Sequence, residues 1–91
     1  MKYRIFEHND VKKFFKKHDD DKKLLLRIGK KYYDILDNPY RSDFVKLHSN
    51  KCPKCHRARV GDYRIVFYIN DEDSMIEIVD IFHRKDDYIY Y

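Results

Sequence analysis

Arg57, Arg59 and Arg64 sit close together in the run Arg57-Ala58-Arg59-Val60-Gly61-Asp62-Tyr63-Arg64-Ile65-Val66-Phe67. A guanidinium is a planar, permanently charged fork that matches the oxygens of a phosphate. Gly61-Asp62 suits a two-residue hairpin turn, with glycine supplying the positive φ. With that turn, Val60 pairs with Tyr63, Arg59 with Arg64, and Ala58 with Ile65. Strand side chains alternate between faces. Arg57, Arg59 and Arg64 therefore share one face, and Ala58, Val60, Tyr63, Ile65 and Phe67 share the other. Like charges directly across a ladder are destabilising. The acidic residues nearest in sequence fall in turns rather than on the arginine face. The chemistry expected is a phosphate site on an exposed sheet face.

A second group closes the chain: His83-Arg84-Lys85-Asp86-Asp87-Tyr88-Ile89-Tyr90-Tyr91. Histidine is the natural proton carrier near neutral pH. His83 and Arg84 point to opposite faces of a regular strand, so only one joins the arginines unless the strand ends first. The turn at 70–74 leaves the register open. Cys52-Pro53-Lys54-Cys55-His56, with His48 upstream, has the spacing of a zinc knuckle. A structural zinc needs four ligands, and adjacent ligands at Cys55 and His56 make poor tetrahedral geometry. Free thiols, a local disulfide and a zinc site on His48, Cys52, Cys55 and His56 all remain open.

The elements that must position these groups come next. The chain has 91 residues, which predicts one domain over 1–91. Charged residues make up 40% of it and the longest apolar run is Ile65 to Ile69, which predicts no membrane span. Hydrophobic residues make up 43%, enough for a core. No apolar stretch of signal-peptide length follows the basic N-terminus, so a cytoplasmic protein is expected. The net charge of +4 hides a gradient. Residues 50–70 carry Lys51, Lys54, Arg57, Arg59 and Arg64 against Asp62 alone, which favours a polyanionic partner.

Tyr3 to Glu7 reads as a strand. Asn9 or Asp10 then caps a helix whose buried face is Val11, Phe14, Phe15 and His18. Asp19-Asp20-Asp21 precedes a second helix from about Lys22 to Asp37, with the stripe Leu25, Ile28, Tyr32, Ile35 and Leu36. Gly29, mid-helix, is expected to mark a close-packing point. Asn38-Pro39 ends this helix. Strands follow at Phe44–Leu47, Arg57–Val60, Tyr63–Ile69 and Met75–Phe82. The order predicts an α+β fold: an N-terminal strand, a two-helix hairpin, then antiparallel strands in one sheet with the helices on one face.

Lys46-Leu47, the Arg57–Phe67 run and Ile81-Phe82-His83-Arg84-Lys85-Asp86-Asp87-Tyr88 together resemble the RelE-type toxins of the RelE/ParE superfamily. The N-terminal strand and helical hairpin agree in length and order. The resemblance implies an endoribonuclease toxin that cleaves messenger RNA in the ribosomal A site. It also implies neutralisation by a RelB-type antitoxin. Cleavage proceeds without metal or other cofactor, by attack of a 2′-OH on its own 3′-phosphate. By position, Arg59 and Arg64 hold the phosphate oxygens and Arg57 positions the backbone. Arg84 stands near the leaving 5′-oxygen, and His83 or Tyr88 supplies the base. Lys46, Lys54 and Tyr90 extend the RNA contact. Some members have Lys at Arg57 and Arg59. An arginine stays protonated, so the acid–base role shifts to His83 or the tyrosines. Phe82 replaces a usual glycine, and the Cys-Pro-Lys-Cys loop is longer than usual. The alternative is a ParE-like toxin that inhibits DNA gyrase without cutting RNA.

Overall fold

The structure, a computed structural model, describes residues 2–86. Strand β1 (Arg4–Glu7) leads into helices α1 (Asn9–Lys17) and α2 (Lys22–Asp37). Strands β2 (Val45–Lys46), β3 (Cys55–Val60), β4 (Tyr63–Asn70) and β5 (Met75–His83) follow. The expected α+β order is the observed one. Helix α1 is capped by His8, not by Asn9 or Asp10. His8 keeps extended backbone and its carbonyl accepts from the Val11 and Lys12 amides, at 3.0 and 3.2 Å. Its ring lies 3.0 Å from Glu77 Oε1, so the side chain serves the sheet rather than the helix.

Asp21 caps α2, accepting from the Leu24 amide at 3.2 Å. Leu24, Ile28 and Ile35 are the buried positions of α2, with Tyr32 and Leu36 packed beside them. Leu24 takes the place expected of Leu25, because it lies one turn before Ile28 on the same face. Gly29 is a correction. It is exposed, and a Cβ built on it meets nothing within 4 Å. It is therefore no packing point within this chain. Gly29→Ala is expected to stabilise the fold by about 1 kcal/mol, because glycine costs that much in an open helix interior. Urea unfolding of the two proteins checks it, and an unchanged or lower midpoint would contradict the open geometry.

The described strands form one sheet in the order β1-β5-β4-β3-β2, with β1 parallel to β5 and every other pair antiparallel. The hairpin register is as the turn chemistry predicts: Val60↔Tyr63, Arg59↔Arg64 and Ala58↔Ile65. Gly61 adopts φ +57°. Strand β2 is shorter than expected and pairs only Val45 with Arg57 and Lys46 with His56. Between β4 and β5 the register slips by one, from Phe67↔Ile78 to Val66↔Asp80. Val79 is the extra residue of this β-bulge. A bulge reverses which face later residues occupy.

The helices cover one sheet face. Val11, Phe14, Leu24, Ile28 and Ile35 pack on Ala58, Val60, Ile65, Phe67, Ile76, Ile78 and Ile81. Two clasps fasten the edges. The hydroxyls of Tyr3 and Tyr40 both donate to the Asp71 carboxylate, which ties β1 and the α2–β2 connection to the β4–β5 turn. That sharing pushes Tyr3 up to about 12, through the Asp71 hydrogen bond first and burial second. It holds Asp71 below the usual carboxylate range. Tyr32 donates to Glu7 at 2.9 Å, and burial followed by that bond raises its hydroxyl. No helix among the described residues is long and apolar enough to cross a membrane.

Candidate nucleic-acid interface

The sheet face turned away from the helices carries Arg57, Arg59 and Arg64, because β3 and β4 alternate in the register just described. Arg59 and Arg64 stand directly opposite each other, and Phe82 continues that row on β5. Arg57 opposes Val66, which opposes Asp80. The three arginines are unequal in exposure. Arg59 is exposed, and its side chain has no hydrogen-bond or ion-pair partner among the described residues. Arg57 is half-buried. Arg64 is only 6% exposed, and its Nη1 donates to the carbonyls of Gly61 and Tyr63 at 3.1 and 3.0 Å.

That burial corrects the picture of a bare platform. Leu47, Cys55, Val66 and Phe82 form a second apolar cluster on this face, with Cys52, Tyr68 and Val79 beside it. The segment from Leu47 to Cys55 thus lies over part of the face. Phe82 helps bury the arginine row, which a glycine there would leave open. The face is also not free of acid. Asp80 shares it, in the row of Arg57, contrary to the expectation that nearby carboxylates stay in turns.

Arg84 begins a single 3₁₀ turn at 84–86. Its amide donates to the Asp62 carbonyl at 2.7 Å, and its Nε lies 3.5 Å from Asp62 Oδ1. Both partners are exposed, so the ion pair contributes little to stability and orients the side chain at the hairpin tip. The Gly61-Asp62 turn therefore gathers Arg64 and Arg84 on adjacent carbonyls.

His83 is not gathered with them. It opposes Tyr63, on the helix-covered face, with ring centroids 5.3 Å apart. Its Nδ1 accepts from the Lys85 amide at 3.2 Å. Lys46 lies across from His56, on the face opposite Arg57, and Lys54 is exposed in the turn before β3. Tyr88 and Tyr90 lie outside the described residues.

Cys52 and Cys55 are joined in a disulfide. Cys55 is fully buried in the second cluster on the arginine face. His56, the next residue in the strand, points the other way and stacks on Phe67 with centroids 5.5 Å apart. Burial first, and the Lys46 charge second, push its ring below the ordinary histidine range. The alternation of β3 thus separates two of the four proposed zinc ligands. No group of three or more His, Cys, Asp or Glu side chains among the described residues is placed to hold a metal ion.

Two functional candidates escaped the sequence. Asp80 reaches the arginine face through the bulge, and a signal existed: the apolar spacing Ile76, Ile78, Ile81 steps by two and then by three. Arg27 reaches the hairpin tip from α2, and nothing in the sequence announces that approach. A family model described as "ParE toxin of type II toxin-antitoxin system, parDE" matches residues 5–88. A stretch of 54 residues is 39% identical to "Toxin RelE" of Mycobacterium tuberculosis, covering 59% of this chain and 54% of that protein. The match thus spans about half of that relative's length.

Proposed function

Because the chain belongs to the ParE toxin family of type II toxin–antitoxin systems, we propose that it is a toxin acting as an endoribonuclease on messenger RNA in the ribosomal A site. The observation that carries this reading is the Arg59–Arg64 pair, two arginines opposed across one ladder, Arg59 exposed and Arg64 buried against the hairpin carbonyls. Such a pair is destabilising alone and favourable with a phosphate between its members.

In this reading the 2′-oxygen attacks the adjacent phosphorus and the bond to the 5′-oxygen breaks. The products are a 2′,3′-cyclic phosphate and a 5′-hydroxyl, the leaving 5′-oxygen taking its proton from water or from the group that removed the 2′-OH proton. Negative charge grows on the non-bridging oxygens in the transition state, where Arg59 and Arg64 stabilise it. Arg57 positions the backbone, and Arg84, oriented by Asp62, faces the leaving oxygen. The step needs no metal, because the guanidinium groups supply the positive charge. A base must still take the 2′-OH proton. No arginine does so, and His83 points to the other face. The role falls to Tyr88 or Tyr90, and Lys54 extends the contact with RNA.

The partner proposed is a RelB-type antitoxin with acidic and apolar residues, in keeping with the exposed Leu26 and Tyr33 among the lysines of α2. The site of action is cytoplasmic, on the ribosome. The second reading is inhibition of DNA gyrase without RNA cleavage, which the ParE name of the family model keeps beside the first without favouring it.

Induction of the chain in growing cells separates the two readings. Primer extension on translated and free transcripts is expected to show cuts within codons only on translated RNA. Arrest of replication with transcripts intact would replace this reading with the gyrase one.

A further inference from the structure

Cationic side chains also converge on the other flank of the hairpin tip. A cleft of about 350 Å³ lies between α2 and the end of β3. Arg27, Lys30, Lys31 and Asp34 line it from α2, and Arg59, Val60 and Gly61 from the sheet. The Arg27 guanidinium rests against Gly61 so closely that a Cβ there would come within 2.7 Å of Nη2. The same turn holds Arg64 and Arg84. Asp34 is the carboxylate of the cleft, and it is shared between Lys31 at 3.9 Å and Arg41 at 3.6 Å. Four cations therefore face one carboxylate that is already engaged.

Two features join the cleft to the arginine face. Arg59 belongs to both, since it stands opposite Arg64 in the ladder and lines the cleft. Strand β2 pairs only with His56 and Arg57, so among the described residues no strand borders β3 from Ala58 to Val60. A chain lying on the open face can cross that edge. The lining favours phosphate over peptide, because Val60 is its one apolar side chain and peptide sites rely on apolar anchors.

We propose that this cleft is a second phosphate subsite, in which Arg27, Lys30 and Lys31 hold the backbone of the RNA strand whose scissile phosphate lies at Arg59 and Arg64. The proposal rests on the ribonuclease reading. It assigns the α2 cations to binding and register, with no part in the bond-breaking step.

The test is fluorescence anisotropy of the full chain with a short, labelled, single-stranded RNA whose 2′-O-methyl groups prevent cleavage, titrated across salt concentrations. Each phosphate contact on a single strand contributes about 0.7 to the slope of log affinity against log salt. The variant Arg27→Gln/Lys30→Gln/Lys31→Gln is expected to lose about 2 from that slope. Glutamine is a good helix former, so α2 is retained. Lys12→Gln/Lys13→Gln/Lys16→Gln removes the same charge from α1 and is expected to leave the slope unchanged. Asp34→Asn is expected to bind RNA more tightly, by releasing Lys31. Equal loss in both triple variants would reduce the cleft to general charge and overturn the proposal. An unchanged RNA slope with weakened binding of polyglutamate would assign the cleft to an acidic protein instead. If wild type binds no free RNA, or Arg59→Gln leaves binding untouched, the cleft proposal is overturned, whereas the ribonuclease reading, which places cleavage on the ribosome, fails only if translated transcripts stay intact in the primer-extension experiment.

Discussion

Arg59→Gln is expected to lower the rate of RNA cleavage by about 100- to 1,000-fold, the usual effect of removing one preorganised charge from a transition state. The fold is expected to gain, not lose, stability from the same change. Arg59 is exposed, and it faces Arg64 directly across the ladder. Removing one of two like charges there is worth about 0.2–1 kcal/mol in favour of folding. The opposite signs make the experiment informative. A residue that matters only for packing loses activity and stability together. Cleavage on translating ribosomes and urea unfolding, measured on one preparation, check both halves. Full cleavage by Arg59→Gln would remove the central element of the ribonuclease reading. Arg64→Ala is the weaker test, because Arg64 is buried and its Nη1 bonds two carbonyls of the hairpin. Its loss would mix catalysis with turn stability.

The largest expected effect on stability is at Phe67. Its side chain is fully buried in β4, the strand between β5 and β3. It meets Phe44 edge-on, with centroids 5.6 Å apart, and His56 stacks on it. Phe67→Ala is expected to cost about 3–5 kcal/mol, from lost burial and the cavity left behind. Domains of this kind hold only about 5–15 kcal/mol in total. The variant is therefore expected to unfold at far lower urea and to be temperature-sensitive as a toxin. Phe67→Leu fills most of the space and is expected to recover much of the difference. Equal midpoints for Phe67→Ala and wild type would show that the core does not depend on this ring.

The hairpin of β3 and β4 was legible because its determinants are local. Gly61 supplies the positive φ, the turn sets the register, and alternation then sorts Arg57, Arg59 and Arg64 from Ala58, Val60 and Tyr63. The two helices were legible for the same reason, since apolar spacing and Asp21 lie within one segment. Gly29 was misread because a glycine in a helix signals either close packing or nothing, and only the neighbours distinguish them. Here there are none.

What the amino-acid order determined by itself was the arginine ladder and the α+β sequence of elements. What only the tertiary structure decided was which groups accompany that ladder. The bulge at Val79 sends His83 to the helix side and Asp80 to the arginine side. Phe82 stands beside the buried Arg64, the 47–55 segment covers the end of the face away from the turn, and α2 brings Arg27 to the turn. These outcomes arise from pairing and packing between segments distant in the chain. A one-residue slip in that pairing exchanges the two faces of a strand, and no local preference can foresee it.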